Sequence, residues 1–215
     1  MKMTAVCVPG FFSLFLSLSL PASELQPIPL PQPQTNGGRP LMEVLRERKS
    51  TREFATNTLP WQKLGDLLWA GFGTNRVDGH RTAPSTMNSR ALDIYVSLAQ
   101  GTYVYEAQSH WLRPVAAGDL RTKTGGQDYV KTAPVALIFV ADLSRLDRAK
   151  PEDRERYANL DVGYLSQNVY LYCAAEGLAT VVHELDRGEL PTLLGLKPDK
   201  RIILAQSVGF PRPTP

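Results

Sequence analysis

The chain has 215 residues, 43% of them hydrophobic, and a formal net charge of +3. That is enough apolar material for one domain with its own core. Basic residues are interleaved with acidic ones rather than massed in blocks, which gives no case for nucleic-acid binding and suits small anionic ligands.

The chain starts with Lys2 and an almost pure Phe, Leu and Ser run over residues 11–20, followed by Pro21, Ala22 and Ser23. Residues 1–23 read as a secretory signal peptide cut near Ala22 or Ser23, which places the mature protein outside the cytosol, in the periplasm. An uncut anchor is the alternative. However, the apolar run over residues 5–20 is broken by Pro9 and Gly10 and falls short of the ~20 residues a span needs. After removal no integral membrane span remains. Cys7 precedes the apolar run, so it does not read as a lipid-attachment cysteine, and no Arg-Arg pair marks a twin-arginine signal. Cleavage leaves Cys173 alone, which excludes an internal disulfide; its apolar helical context reads as a buried small hydrophobe.

Residues 24–39 alternate proline with Gln, Ile and Leu and end in Asn36-Gly37-Gly38. This predicts an extended, ordered or semi-ordered arm outside the core, either a plain tether to the membrane side or a wrap around a partner subunit, and residues 40–215 then form the folded domain. Leu41, Val44 and Leu45 fall at helical spacing. Arg46, Arg48, Lys49 and Arg52 follow and surround one hydroxyl, Ser50. Arginine forks match phosphate oxygens, lysine adds a point charge and serine donates one more bond, so a phosphate clamp fits. A solvated basic helix end fits too, because cations there suit the macrodipole.

Leu59-Pro60 opens a second helix through Leu64, Leu67, Leu68 and Ala70, ended by Gly71 and Gly73. A Pro-Ser turn with an asparagine at residues 84–88 leads into an alternating strand. Residues 93–99 and 102–106 read as a hairpin about Gln100-Gly101, with a third strand over 110–115. The continuous apolar run 135–140 reads as a buried central strand. Residues 157–176 form a long helix, apolar on most faces and therefore expected to be buried, with Gly177 as its cap. A short extended piece (178–182), a short helix (190–194) and a last strand (202–208) complete the chain. Helices and hairpins segregate, so the fold class is α+β, and no Gly-x-Gly-x-x-Gly follows a strand to support a dinucleotide fold.

Four stretches in order are similar to the nitroreductase family of FMN proteins, and most of all to its short SagB-like branch. They are the basic segment 48–54, the Ala-Pro-Ser-x-x-Asn turn at 83–88, the Asp-x-Gly-x-x-x-Gln-Asn helix from Asp161 through Leu178, and Val208-Gly-Phe-Pro. The resemblance covers residues 40–211. It implies a nitroreductase-like α+β fold, with a central mixed or antiparallel sheet flanked by helices. It further implies an intertwined homodimer with FMN at the subunit interface. By resemblance, Arg48, Lys49 and Ser50 take the phosphate and ribityl positions. Arg52 falls near the pyrimidine side of the ring, where a cation stabilises the negative charge of the reduced ring; a surface ion pair with Glu47 or Glu53 is its alternative. Pro84, Ser85 and Asn88 match the loop that approaches the ring from the neighbouring subunit, although turn asparagines also commonly bond their own backbone. Val182, His183 and Glu184 match the segment whose backbone N–H groups face the ring. Many relatives continue past the last strand with basic residues that close over the phosphate. Here Arg212 is the only one left for that role.

The resemblance implies an FMN-dependent oxidoreductase of ping-pong type that needs no catalytic side chain. Its substrate and electron donor stay open. NAD(P)H belongs to the cytosol, so an exported member needs another reductant or oxidises its substrate directly. The alternatives are a non-catalytic flavin-binding protein and a cofactor-free interaction module on a degenerate copy of the fold. Ser85 lacks a nucleophile-elbow setting, and His80, His110 and His183 lack ligand spacing, so neither a serine hydrolase nor a metal site is supported.

Overall fold

The computed structural model of the chain describes residues 25–185 and 187–213. The leader assigned to residues 1–23 lies outside them. Seven strands form one sheet in the order β1-β4-β3-β2-β5-β7-β6. They are β1 Ile28–Pro29, β2 Leu92–Leu98, β3 Gly101–Glu106, β4 Trp111–Ala117, β5 Val135–Asp142, β6 Ala179–His183 and β7 Lys200–Gly209. Each pairing is antiparallel. The helices are α1 Leu41–Glu47, α2 Trp61–Phe72, α3 Arg154–Ala175 and α4 Leu190–Leu193. No helix among the described residues is long and apolar enough to cross a membrane.

β5 explains its own sequence. Successive side chains in a strand point to opposite faces. Leu137 and Phe139 join the cluster formed with Leu64, Leu67 and Leu68 of α2 and with Val162, Leu165 and Val169 of α3. Ile138 and Val140 join Leu185, Leu190, Leu194 and Ile202 on the other side. Both faces are covered, so the strand has no polar positions until Asp142.

Two expectations need correction. The proline-rich arm is not outside the core. Ile28 and Pro29 pair with Leu112 and Trp111, Leu30 N–H donates to the His110 carbonyl at 3.1 Å, and Leu30 is buried in the main cluster. An edge strand tolerates proline because its outer N–H positions need no ladder partner. The long helix α3 is not buried all round either. Ala158, Val162, Leu165, Val169 and Cys173 face the core, whereas Leu160 and Tyr164 are 49% and 50% exposed. Within one chain only its inner stripe meets α2 and the sheet.

Candidate functional site

α1 stops at Glu47, and Arg48 caps it by donating its N–H to the Val44 carbonyl. The chain then runs extended between two strand ends. Thr51 N–H donates to the Thr180 carbonyl at 2.9 Å, Ala55 N–H to the Phe210 carbonyl at 2.9 Å, and Arg212 N–H to the Glu53 carbonyl at 3.2 Å. Phe54, fully buried, bridges to Pro211. These bonds bring Lys49, Ser50 and Arg52 onto one cleft with Arg212, from the far end of the chain. The cleft encloses about 920 Å³, with Tyr170 and Cys173 of α3 and Thr180 of β6 among its walls. Cys173 is fully buried, and burial pushes its thiol well above the usual range.

The electrostatics of this cleft are one-sided. Arg46, Lys49, Arg52 and Arg212 line it, and none of them makes an ion pair among the described residues. Of its two acids, Glu47 is committed to Arg39 at 2.5 Å, which holds its carboxyl below the usual value. Glu53 is the other. Four unpaired cations and a hydroxyl form a donor set for a dianionic phosphate, and the volume lies in the range of cofactor sites. Arg48 stands beside the cleft rather than in its wall, with its guanidinium 5.2 Å from the centre of the Tyr170 ring.

Sequence reasoning missed Tyr170. Its hydroxyl accepts the Val182 N–H at 2.9 Å and hydrogen-bonds Ser50 Oγ at 2.9 Å. It therefore joins α3, β6 and the basic segment at one atom. The Val182 N–H, expected to face a flavin ring, is engaged by this hydroxyl. His183 is buried, with Nε2 3.0 Å from Ser207 Oγ and its ring edge-on to Tyr129. Burial holds its pKa below the ordinary 6.5. Glu184 pairs with Arg187 at the surface. Neither His183 nor Glu184 lines the cleft.

Under β6 lies a closed polar network. Ser166 Oγ donates to Gln206 Oε1, Gln206 Nε2 donates to Thr180 Oγ1, and Thr180 Oγ1 donates to the Ser207 carbonyl, each within 3.0 Å. All four residues are buried. A fully satisfied network of this kind fixes strand position.

Pro84, Ser85 and Asn88 lie elsewhere in the chain. They line a second cleft of about 270 Å³ that shares no residue with the first. Their loop is held to α3 by Asp161, a buried carboxylate that accepts Thr86 N–H at 2.9 Å and Thr86 Oγ1 at 2.8 Å. Ser85 Oγ accepts Arg90 N–H at 2.8 Å, and Arg148 donates to the Met87 carbonyl. Met87, Asn88 and Arg90 are all left-handed, with φ of 54°, 53° and 52°. Three such residues close together persist only where the surroundings over-determine them, which is common at ligand sites. Asp161 and Tyr170 stand nine positions apart on α3, about 13 Å along its axis. Within one chain, the two clefts sit at different stations of that helix.

A sequence model of the Nitroreductase family matches residues 45–210. A protein of Methanocaldococcus jannaschii, provisionally named a nitroreductase, is 30% identical over 151 residues, which cover 66% of this chain and 76% of that one. A crystal structure from Ralstonia eutropha JMP134, provisionally described as a nitroreductase, superposes with a TM-score of 0.85 at 41% identity, over 90% of this chain and 93% of the other. A chain of the Escherichia coli microcin synthetase complex shares the fold at 16% identity, with a TM-score of 0.67 over 86% of this chain and 78% of that one.

Proposed function

The chain belongs to the nitroreductase family, and from that premise we propose that it is an FMN-dependent oxidoreductase working by ping-pong exchange. The observation that carries this reading is the cleft that Arg46, Lys49, Arg52 and Arg212 line together with Ser50, none of the four in an ion pair among the described residues. Bound FMN would supply two-electron chemistry that no side chain offers. The protein's share is binding and electrostatics. Lys49, Ser50 and Arg212 hold the phosphate. Arg52 places a fixed positive charge where the reduced ring carries negative charge and so raises its potential. Tyr170 holds Ser50 and the β6 backbone in register for that task. The Pro84–Asn88 loop reaches the ring of a second copy, which accounts for two clefts that do not meet within one chain. Donor and acceptor then occupy the same face in turn, and no side chain acts as nucleophile.

Export by the N-terminal leader belongs to the same proposal. The reductant is then something other than cytosolic NAD(P)H, or the substrate itself is oxidised directly. N-terminal sequencing of the protein recovered from a periplasmic extract tests this: a start near Ser23 or Glu24 supports it, and a retained Met1 contradicts it.

Quenching of FMN fluorescence tests the clamp. Hydrogen bonds to charged groups are worth about 1.5–3 kcal/mol, so Lys49→Ala and Arg212→Ala should each weaken FMN binding by roughly 10- to 100-fold. Arg52→Ala should bind FMN but lower its midpoint potential, by about 30 mV for each ~1.4 kcal/mol of charge stabilisation lost. Unchanged affinity in both clamp variants would rule out this cleft as the FMN site.

A further inference from the structure

We infer that the second cleft, beneath the Pro84–Asn88 loop, is an anion subsite that takes the carboxylate or phosphate head of the molecule exchanging electrons at the flavin. The cleft is lined by Arg76, His80 and Arg81 together with Ser85 and Asn88, and no acidic residue is in its wall. Arg81 spends Nη1 on Thr74 Oγ1 at 3.1 Å and on the Phe72 carbonyl at 3.5 Å. Its Nε and Nη2 have no acceptor among the described residues, and Nε is buried. Nη2 is the end of the guanidinium left free to donate to a carboxylate or phosphate oxygen, and Arg76 on the same cleft supplies a second charge.

No carboxylate among the described residues forms an ion pair with Arg81, nor with Arg76 or Arg90. Asp78 is held by His80, whose Nδ1 lies 2.7 Å away, and its carboxyl is depressed by that contact. Asp93 is held by Arg145 and Lys200. Burial is the main reason the Arg81 guanidinium titrates below its usual value; Tyr105 and Asp93 work against it, and the Arg90 and Arg145 charges add to it. The volume suits one small acidic group rather than a nucleotide. The loop above is rigid by construction, pinned by Asp161, Arg90 and Arg148. The assignment of the anion to a flavin substrate rests on the proposed function; the anion site itself stands on the geometry of Arg76 and Arg81.

The test is an amide NMR titration of the full chain with benzoate, neutral benzamide and inorganic phosphate, run before and after FMN addition. Benzoate should shift the Ser85 and Asn88 amides and leave Lys49 and Ser50 unmoved in the FMN-loaded protein. It should bind at least about tenfold more tightly than benzamide. Arg81→Lys keeps the charge but loses the Nη2 donor, and should weaken benzoate about tenfold. Arg76→Ala, at an exposed side chain whose hydrogen bonds among the described residues go to Asn75 and the Arg81 carbonyl, gives the same reading without risk to the core. Tighter binding of phosphate than benzoate assigns a phosphoryl head, and the reverse assigns a carboxylate; either supports the site. Equal binding of benzoate and benzamide, no shift at Ser85 and Asn88, or unaltered benzoate affinity in Arg76→Ala overturns it. A chain that takes up no FMN yet still binds benzoate here would keep the site and sink the flavin reading.

Discussion

The Tyr170 hydroxyl is shared by Ser50 Oγ and the Val182 N–H, and its ring carries the Arg48 guanidinium. Tyr170→Phe keeps the ring and removes both hydrogen bonds. At about 1 kcal/mol for a bond of this kind, it should weaken FMN binding roughly fivefold, while Arg48 stays in place; fluorescence quenching measures it. Sequence reasoning found Lys49, Ser50 and Arg52 because their charges lie within a few positions of one hydroxyl. It missed Tyr170 because its partner is 120 residues away and a half-buried helix tyrosine carries no pattern. Two buried histidines add a pH dependence. Burial holds His110 and His183 below the ordinary 6.5, so each stays neutral when the unfolded chain takes a proton. Their stabilising share is whole above about pH 6.5 and is lost as pH falls toward their folded values. Thermal melts should therefore show a declining midpoint from pH 7 to pH 5, flattened in His183→Gln. A midpoint that is level in the parent protein would contradict the neutral assignment.

α3 ends at Ala175, and Gly177 follows with a φ of 67° while Leu178 N–H returns to the Cys173 carbonyl at 2.8 Å. This is a left-handed helix stop, and no atom lies within 4 Å of where a Cβ would sit. Gly177→Ala should thus cost only backbone strain, about 1 kcal/mol, and lower the melting temperature by roughly 2–4 °C. This stop was readable because glycine after a long apolar helix has one common use. β5 was readable because a strand covered on both faces becomes a solid apolar run. The arm was misjudged because alternating proline looks like free polyproline; only the sheet shows that Pro29 occupies an edge beside Trp111. The loop at 84–90 was legible as a turn but not in its geometry. Its three left-handed residues are held by the local Ser85–Arg90 bond and by Asp161 and Arg148, partners more than 60 positions away that no local pattern announces.

At the level of the whole molecule, Leu160 and Tyr164 of α3 and Leu41, Met42 and Leu45 of α1 are exposed apolar side chains, and in the proposed dimer a second copy would cover them. Leu160→Asp with Tyr164→Asp should convert a dimer to a monomer in light scattering and weaken FMN binding, since the Pro84–Asn88 loop of the second copy would be lost. A double variant that stays dimeric would place the interface elsewhere. If the basic cleft holds a redox flavin, the visible absorption spectrum of the protein purified without residues 1–23, taken before and after dithionite, should show about one FMN per chain that bleaches on reduction. A colourless protein that also fails to take up added FMN would contradict it and leave the fold as an interaction module.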